Sequence, residues 1–105
     1  MPFYAYMLKC TDGSYYTGST TNLEQRIAEH EAGLNPQAYT YSRRPLELVW
    51  SQEFTTHDEA FRAEHQIKGW SRAKKEALIR NDWAGIHQIV KEEHIRREAK
   101  KTGSG

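Results

Sequence analysis

A chain of 105 residues has room for one domain with a modest core, because short chains bury a smaller share of their surface than long ones. A charged fraction of 28% beside three Trp and six Tyr argues against disorder, and no apolar stretch is long enough to span a bilayer. The net charge of +1 selects no anionic partner by itself, and the single cysteine, Cys10, excludes an internal disulfide, so the cytoplasm is the default address.

Phe3 to Lys9 and Ser14 to Ser19 are aromatic, β-prone runs joined by Thr11-Asp12-Gly13, the pattern of a hairpin whose turn needs a left-handed glycine. Turn length decides which way the tyrosines point. A two-residue loop would pair Tyr16 with Lys9 and put Tyr6 and Tyr16 on opposite faces. A three-residue loop with Gly13 as the bulge pairs Tyr16 with Leu8 and puts them on one face, and this second register is the expectation.

Asn22 is placed to cap a helix running to about Gly33, with Leu23, Ile27 and Leu34 on its apolar stripe. Asn22, Arg26 and His30 recur every four residues on one flank of that helix. The segment from Asn35 to Pro45 reads as a loop bearing tyrosine and arginine, and Leu46 to Phe54 as a third strand. Thr56 and Glu59 form a capping box for a second helix, His57 to about Lys68, which Gly69 ends. Ser71 can cap a third helix through Arg80, and Asp82 a fourth from Ala84 to about Lys100. Residues 102–105 read as a flexible tail, so the expected domain is 1–101, with a core over 3–80.

Several residue types in this order can carry chemistry. Glu64 projects from the apolar face made by Ala60, Ala63 and Ile67, where a carboxylate must be paired or bind a metal. A salt bridge to Arg26 or Lys68, or a wet position at the sheet edge, would satisfy it without chemistry. Tyr6 and Tyr16 pack well as a hairpin pair. A phenol can also move a proton if nearby cations draw down its pKa of about 10, and Arg26 follows the hairpin directly. Arg26 can be an exposed helix charge or a phosphate grip, and His30 a packing histidine or a proton relay. Between Arg62 and Arg80 there are six cations and two anions, an excess that suits phosphates as well as it suits solvent. No HExxH motif, phosphate-cradling glycine loop or serine nucleophile elbow is present.

Taken together, Tyr4-Ala5-Tyr6, Tyr16-Thr17-Gly18 ten residues on, Asn22-Leu23, Arg26, His30 and Glu64 within AFRAEHQIKGWSRAKKEALI resemble the GIY-YIG nuclease family, closest to its small stand-alone bacterial members. The likeness covers residues 3 to about 80. It implies an α/β (α+β) fold, a three-stranded antiparallel sheet flanked by helices. It also implies metal-dependent hydrolysis of DNA phosphodiesters, directed by structure more than by base sequence.

Carried over by position, the motif tyrosines are Tyr6 and Tyr16, with Tyr4, Gly18 and Asn22 as motif or structural positions. The phosphate-binding arginine is Arg26, and the histidine that some members add one turn later is His30. Glu64 is the metal ligand for one Mg²⁺ or Mn²⁺. Tyr4, Ala5 and Thr17 replace the Gly and the two Ile of the family pattern, and Ser19 stands where some members place a lysine. Arg43, Arg44, Lys68, Arg72 and Lys74 are candidate nucleic-acid contacts, with DNA the expected partner and RNA an alternative. No membrane and no obligatory protein partner are expected. The competing expectation is a non-catalytic nucleic-acid-binding module on the same fold, weak and salt-sensitive. A protein-binding role for Trp83, Ile86, Ile89 and Val90 competes with simple packing of that stripe.

Overall fold

The N-terminal aromatic runs form the expected hairpin, β1 (Phe3–Lys9) and β2 (Tyr15–Thr20). Glu47–Phe54 adds β3 along the other edge of β1, giving an antiparallel sheet of order β2-β1-β3. The structure, a computed structural model, describes residues 2–89, 91 and 92. The chain groups into two compact units, one ending at Gly69 and one beginning at Trp70.

The hairpin connection is the three-residue form. Gly13 donates its N–H to the Cys10 carbonyl at 2.9 Å, and Cys10 donates its N–H to the Ser14 carbonyl at 2.8 Å. The Gly13 φ of 85° lies in the left-handed region that favours glycine. Leu8 therefore faces Tyr16 and Tyr6 faces Gly18, so alternation along the strands puts both tyrosines on one side of the sheet. That side carries Tyr4, Tyr6, Leu8, Tyr16 and Gly18. The other carries Phe3, Ala5, Met7, Thr17 and Ser19.

β1 is the middle strand, and Ala5, Tyr6, Met7 and Leu8 are all buried because both of its faces are covered. The tyrosine side is met by α1 (Leu23–Ala32) through His30 on Tyr6. The opposite side is met by α2 (His57–Lys68), through His57 on Phe3 and Glu64 on Ser19.

Helix ends follow the capping signals. Asn22 accepts a hydrogen bond from the Gln25 N–H at 3.1 Å, and Thr56 accepts one from the Glu59 N–H at 3.2 Å. Gly33, at φ 66°, ends α1 in a Schellman turn, with its own N–H on the His30 carbonyl and the Leu34 N–H on the Glu29 carbonyl. This turn corrects one expectation. Leu34 does not extend the apolar stripe of Leu23 and Ile27 but is 70% exposed, because the left-handed residue before it takes the chain off the helical period. The loop after it also contains a single 3-10 turn, Tyr41–Arg43, that the sequence pattern did not announce.

In the second unit, Ser71 caps α3 (Arg72–Ile79), whose Ala77 and Leu78 are buried. Asp82 accepts from the Gly85 N–H at 2.9 Å at the start of a further helical run, 83–89. The expected continuation of that helix to Lys100 and the tail at 102–105 lie outside the described residues, as does Val90 of the tail stripe. Among the described residues no helix is long and apolar enough to cross a membrane.

Candidate active site

Tyr6 sits at the centre of the tyrosine side, 0% exposed, with its Oη 3.1 Å from His30 Nε2. The other ring nitrogen, Nδ1, is 2.8 Å from the Oγ1 of Thr40, which is 1% exposed. A half-buried imidazole thus has both nitrogens bonded to hydroxyls, as withdrawn polar groups require. Gly18 makes room for this arrangement, since a Cβ there would stand 2.5 Å from Tyr6 Oη. Its smallness, not its backbone freedom, is what the site uses.

Burial is the dominant influence on both titrating groups. It pushes the Tyr6 phenol well above its ordinary value, helped by Tyr16 and Glu64, and the Arg26 charge opposes the shift without reversing it. The condition that neighbouring cations draw the phenol pKa down is not met at Tyr6, because desolvation of a phenolate outweighs one half-exposed guanidinium. His30 is held below its ordinary value by burial and then by Arg26, with Glu29 opposing. At neutral pH it is a neutral imidazole with one donor and one acceptor nitrogen. Either Tyr6 donates to Nε2 and Nδ1–H donates to Thr40, or the chain runs the other way; hydroxyls at both ends accommodate both tautomers.

Tyr16, half-buried, carries this chain to the surface. Its ring lies 6.3 Å from that of Tyr6 and edge-on to His30 at 5.1 Å. Tyr16, His30 and Arg26 line one hollow, which Thr40, Leu34 and Tyr41 also border. The Arg26 side chain keeps 45% of its exposure, and its 3.6 Å ion pair with Glu29 is a surface contact of little strength. Arg26 also lines a second hollow with Ser19, Thr20, Thr21 and Ala60.

Glu64 approaches from that second side. Its carboxylate is 14% exposed; Oε1 accepts a hydrogen bond from Ser19 Oγ at 3.3 Å, and Oε2 is 3.6 Å from His65 Nε2. Its charge is felt at Tyr6. The groups do not all meet in one pocket: the two phenols, the imidazole and the guanidinium lie on one side of β2, the carboxylate lies on the side of Ser19, and neither hollow is lined by Glu64. Ser19 and Gly18 are neighbours on an edge strand, so their side-chain directions are opposite by the pleat, and Arg26 borders both sides. The partner of Glu64 is Ser19 and not the Arg26 or Lys68 that a structural salt bridge would have used.

The remaining candidates divide. Tyr4 is half-buried on the tyrosine side, and Asn22 is the α1 cap. Arg43 donates to Asp12 at 3.0 Å and to the Tyr39 carbonyl at 2.7 Å, with its guanidinium 3.9 Å from the Tyr39 ring centre. Arg44 donates to the Tyr41 and Glu31 carbonyls at 2.9 and 3.1 Å. Both arginines, expected as phosphate contacts, therefore hold the loop after α1 in place. Lys68 is exposed in the last turn of α2. In the second unit Arg72 pairs with Glu76 at 3.7 Å, and Lys74 lies 4.4 Å over the Trp70 ring.

Sequence reasoning missed Thr40, Ser19 as a partner of Glu64, and Tyr39, which stacks on Tyr16 at 6.3 Å. Thr40 and Tyr39 stand in a loop, where neither periodicity nor capping announces a side-chain direction. Ser19 could have been found by its place next to the Tyr16-Thr17-Gly18 motif.

Among the described residues no three His, Cys, Asp or Glu side chains cluster as a ready-made metal cage. Glu64 is one partly buried carboxylate whose oxygens have only long contacts. That donor set fits a hard divalent cation that keeps most of its waters, such as Mg²⁺, and does not fit zinc.

The fold and site are those of a small α/β domain, a β2-β1-β3 antiparallel sheet whose hairpin presents two tyrosines to a helix-borne Arg and His. The chain belongs to the GIY-YIG family, whose model, the GIY-YIG catalytic domain, matches residues 2–77. It is 48% identical over 79 residues to a UPF0213 protein of Natronomonas pharaonis, covering 75% of this chain and 92% of that one. A UPF0213 protein of Staphylococcus haemolyticus is 49% identical over 76 residues, 72% of this chain and 92% of the relative. The solution structure of a Bacillus halodurans UPF0213 protein is 44% identical and superposes with a TM-score of 0.50, covering 75% and 83% of the two chains. An E. faecalis protein structure, 35% identical, gives 0.56 with 77% and 85% covered.

Proposed function

We propose that this chain is an endonuclease that hydrolyses DNA phosphodiester bonds with the help of one divalent cation at Glu64. The observation that carries this reading is the bonded chain Tyr6, His30, Thr40, with the Tyr16 ring beside Tyr6 and His30 bordering a hollow that the exposed Arg26 also lines. Family membership supports it, because the matching model is that of a catalytic domain.

Arg26 grips the scissile phosphate and offsets the charge that builds on its oxygens as water adds to phosphorus. Tyr16 is the phenol that faces the hollow, so it orients the attacking water. As the water attacks, its proton passes to Tyr16, the Tyr16 proton to Tyr6, and the Tyr6 proton to His30 Nε2. Neutral His30 can accept it, while Nδ1–H remains on Thr40. The bond from phosphorus to the leaving oxygen breaks, and that oxygen is protonated from solvent. Tyr6, fully buried and held protonated, acts only as a link. Mg²⁺ or Mn²⁺ at Glu64 would supply Lewis acidity to the phosphate and the leaving oxygen. Ser19 donates to the carboxylate of Glu64 and lines the hollow that Arg26 borders.

Labelled DNA and RNA duplexes, flaps, junctions and single strands, incubated with and without Mg²⁺ or Mn²⁺ beside Glu64→Ala, test the reading. We expect DNA cleavage that needs both cation and carboxylate, with the circular dichroism of the variant unchanged. Binding without cleavage, indifferent to both, would identify a binding module instead.

A further inference from the structure

Large apolar side chains are exposed at six described positions, and three of them, Leu34, Tyr39 and Tyr41, fall within the nine residues that follow α1. Solvent exposure of this kind in a slack loop would carry no meaning. This segment is held at both ends. Arg43 donates to the Tyr39 carbonyl and stacks on its ring; Arg44 donates to the Tyr41 carbonyl and lies 4.8 Å from that ring's centre. Arg44 also donates to the Glu31 carbonyl at the end of α1, and Asn35 accepts from the Gln37 N–H at 3.1 Å. Two arginines thus fix an apolar, aromatic surface that the fold leaves uncovered.

That surface is one wall of the hollow whose other wall is Arg26, Tyr16 and His30. Leu34, Ala38 and Tyr41 contribute the apolar side. A ligand that suits both walls has a flat, stackable part joined at short range to an anion, and a nucleotide has that form. We infer that the hollow seats one unstacked nucleobase next to the phosphate held by Arg26, which makes the preferred substrate a DNA strand with an unpaired nucleotide at the cut. A base in a duplex is paired on one edge and stacked on both faces, so it reaches such a hollow only after leaving the helix, at a cost that single-stranded or mispaired nucleotides do not carry. A prearranged wall gives affinity without the ordering cost of a loop that must fold around its ligand. Stacking on it tolerates any base.

This inference rests on the nuclease reading, and two measurements separate their failures. The first is equilibrium binding of a deoxynucleoside 5′-monophosphate against deoxyribose 5-phosphate, followed by amide chemical shifts. The base should tighten binding by about fivefold or more. Leu34→Ala and Tyr41→Ala, both at exposed positions, should remove most of that gain and leave sugar-phosphate binding unchanged. The second is cleavage of single strands bearing one abasic nucleotide beside the cut, which should be slower than cleavage of the intact strand in the wild type and not in Tyr41→Ala. Equal binding of the two ligands, or equal loss in the variants, overturns the base seat and leaves the nuclease standing. Base-dependent binding with no cleavage of any strand overturns the nuclease and leaves a nucleotide-binding hollow.

Discussion

Two sides of one strand are built on opposite plans. On the tyrosine side of β2, the buried Tyr6 and Thr40 are bonded in series through the half-buried His30 at 3.1 and 2.8 Å. On the other side, among the described residues, Glu64 has a 3.3 Å contact from Ser19 and a 3.6 Å contact from His65. Buried polar groups are costly unless partnered, so the first side is a fixed chain with little freedom. A carboxylate with long contacts keeps lone pairs for a ligand. Arg26 lies between them, half-exposed and loosely paired, free to turn towards a phosphate. The lesson is that a proton path and an ion-binding group need different amounts of partnering, and a single edge strand with its pleat keeps them apart.

Substitutions can break either side. After the loss expected for Glu64→Ala, the largest effect should come from Arg26→Ala, which removes a transition-state donor and should lower the cleavage rate by about two to three orders of magnitude while the melting temperature stays put. An unchanged rate would show that the guanidinium grips nothing. Gly18→Ala acts on the tyrosine side alone, because its methyl would meet Tyr6 Oη at 2.5 Å and Cζ at 2.7 Å. Overpacking of this kind should cost about 1–3 kcal/mol in denaturant unfolding and displace the phenol. An unfolding midpoint equal to wild type would mean that the ring has room to retreat.

Thr40→Val should have a smaller effect, since one hydrogen bond of about 1 kcal/mol corresponds to a loss of up to about tenfold in rate. A merely structural threonine would lose stability alone. A threonine that accepts from Nδ1–H of the protonated His30 should also move the acid limb of the pH–rate profile, and Thr40→Ser should restore it.

The pH profile of the wild type gives the finest test. With the His30 pKa depressed below its ordinary 6.5, the relay stays able to accept a proton through neutral pH, and activity should fall only below that value. Stability follows the same sign: the unfolded histidine binds its proton first, so this contribution is present above 6.5 and is lost as the pH falls through the folded value. Tyr6 has the opposite sign. Its raised pKa favours folding below its ordinary 10.0, and that contribution is lost as the pH rises above it. A rate that declines with acid from well above 6.5 would contradict a depressed histidine.

Much of this was legible in the residues themselves. Asp12-Gly13 selected the hairpin turn, Asn22, Thr56 and Ser71 marked helix starts, and Gly33 and Gly69 marked helix ends, because caps and turns are local chemistry. Four-residue spacing alone puts Arg26 and His30 on one flank of α1. Tertiary structure decided what local rules cannot carry. It withdrew Tyr6 from solvent and raised its pKa, since burial depends on what covers a strand. It brought Thr40 onto His30 across a loop, and gave Arg43 and Arg44 to the loop's own carbonyls. It set Glu64 on the Ser19 side of β2. Backbone propensity is written over a few neighbouring residues, whereas desolvation and side-chain partnership belong to residues distant in the chain that only packing brings together.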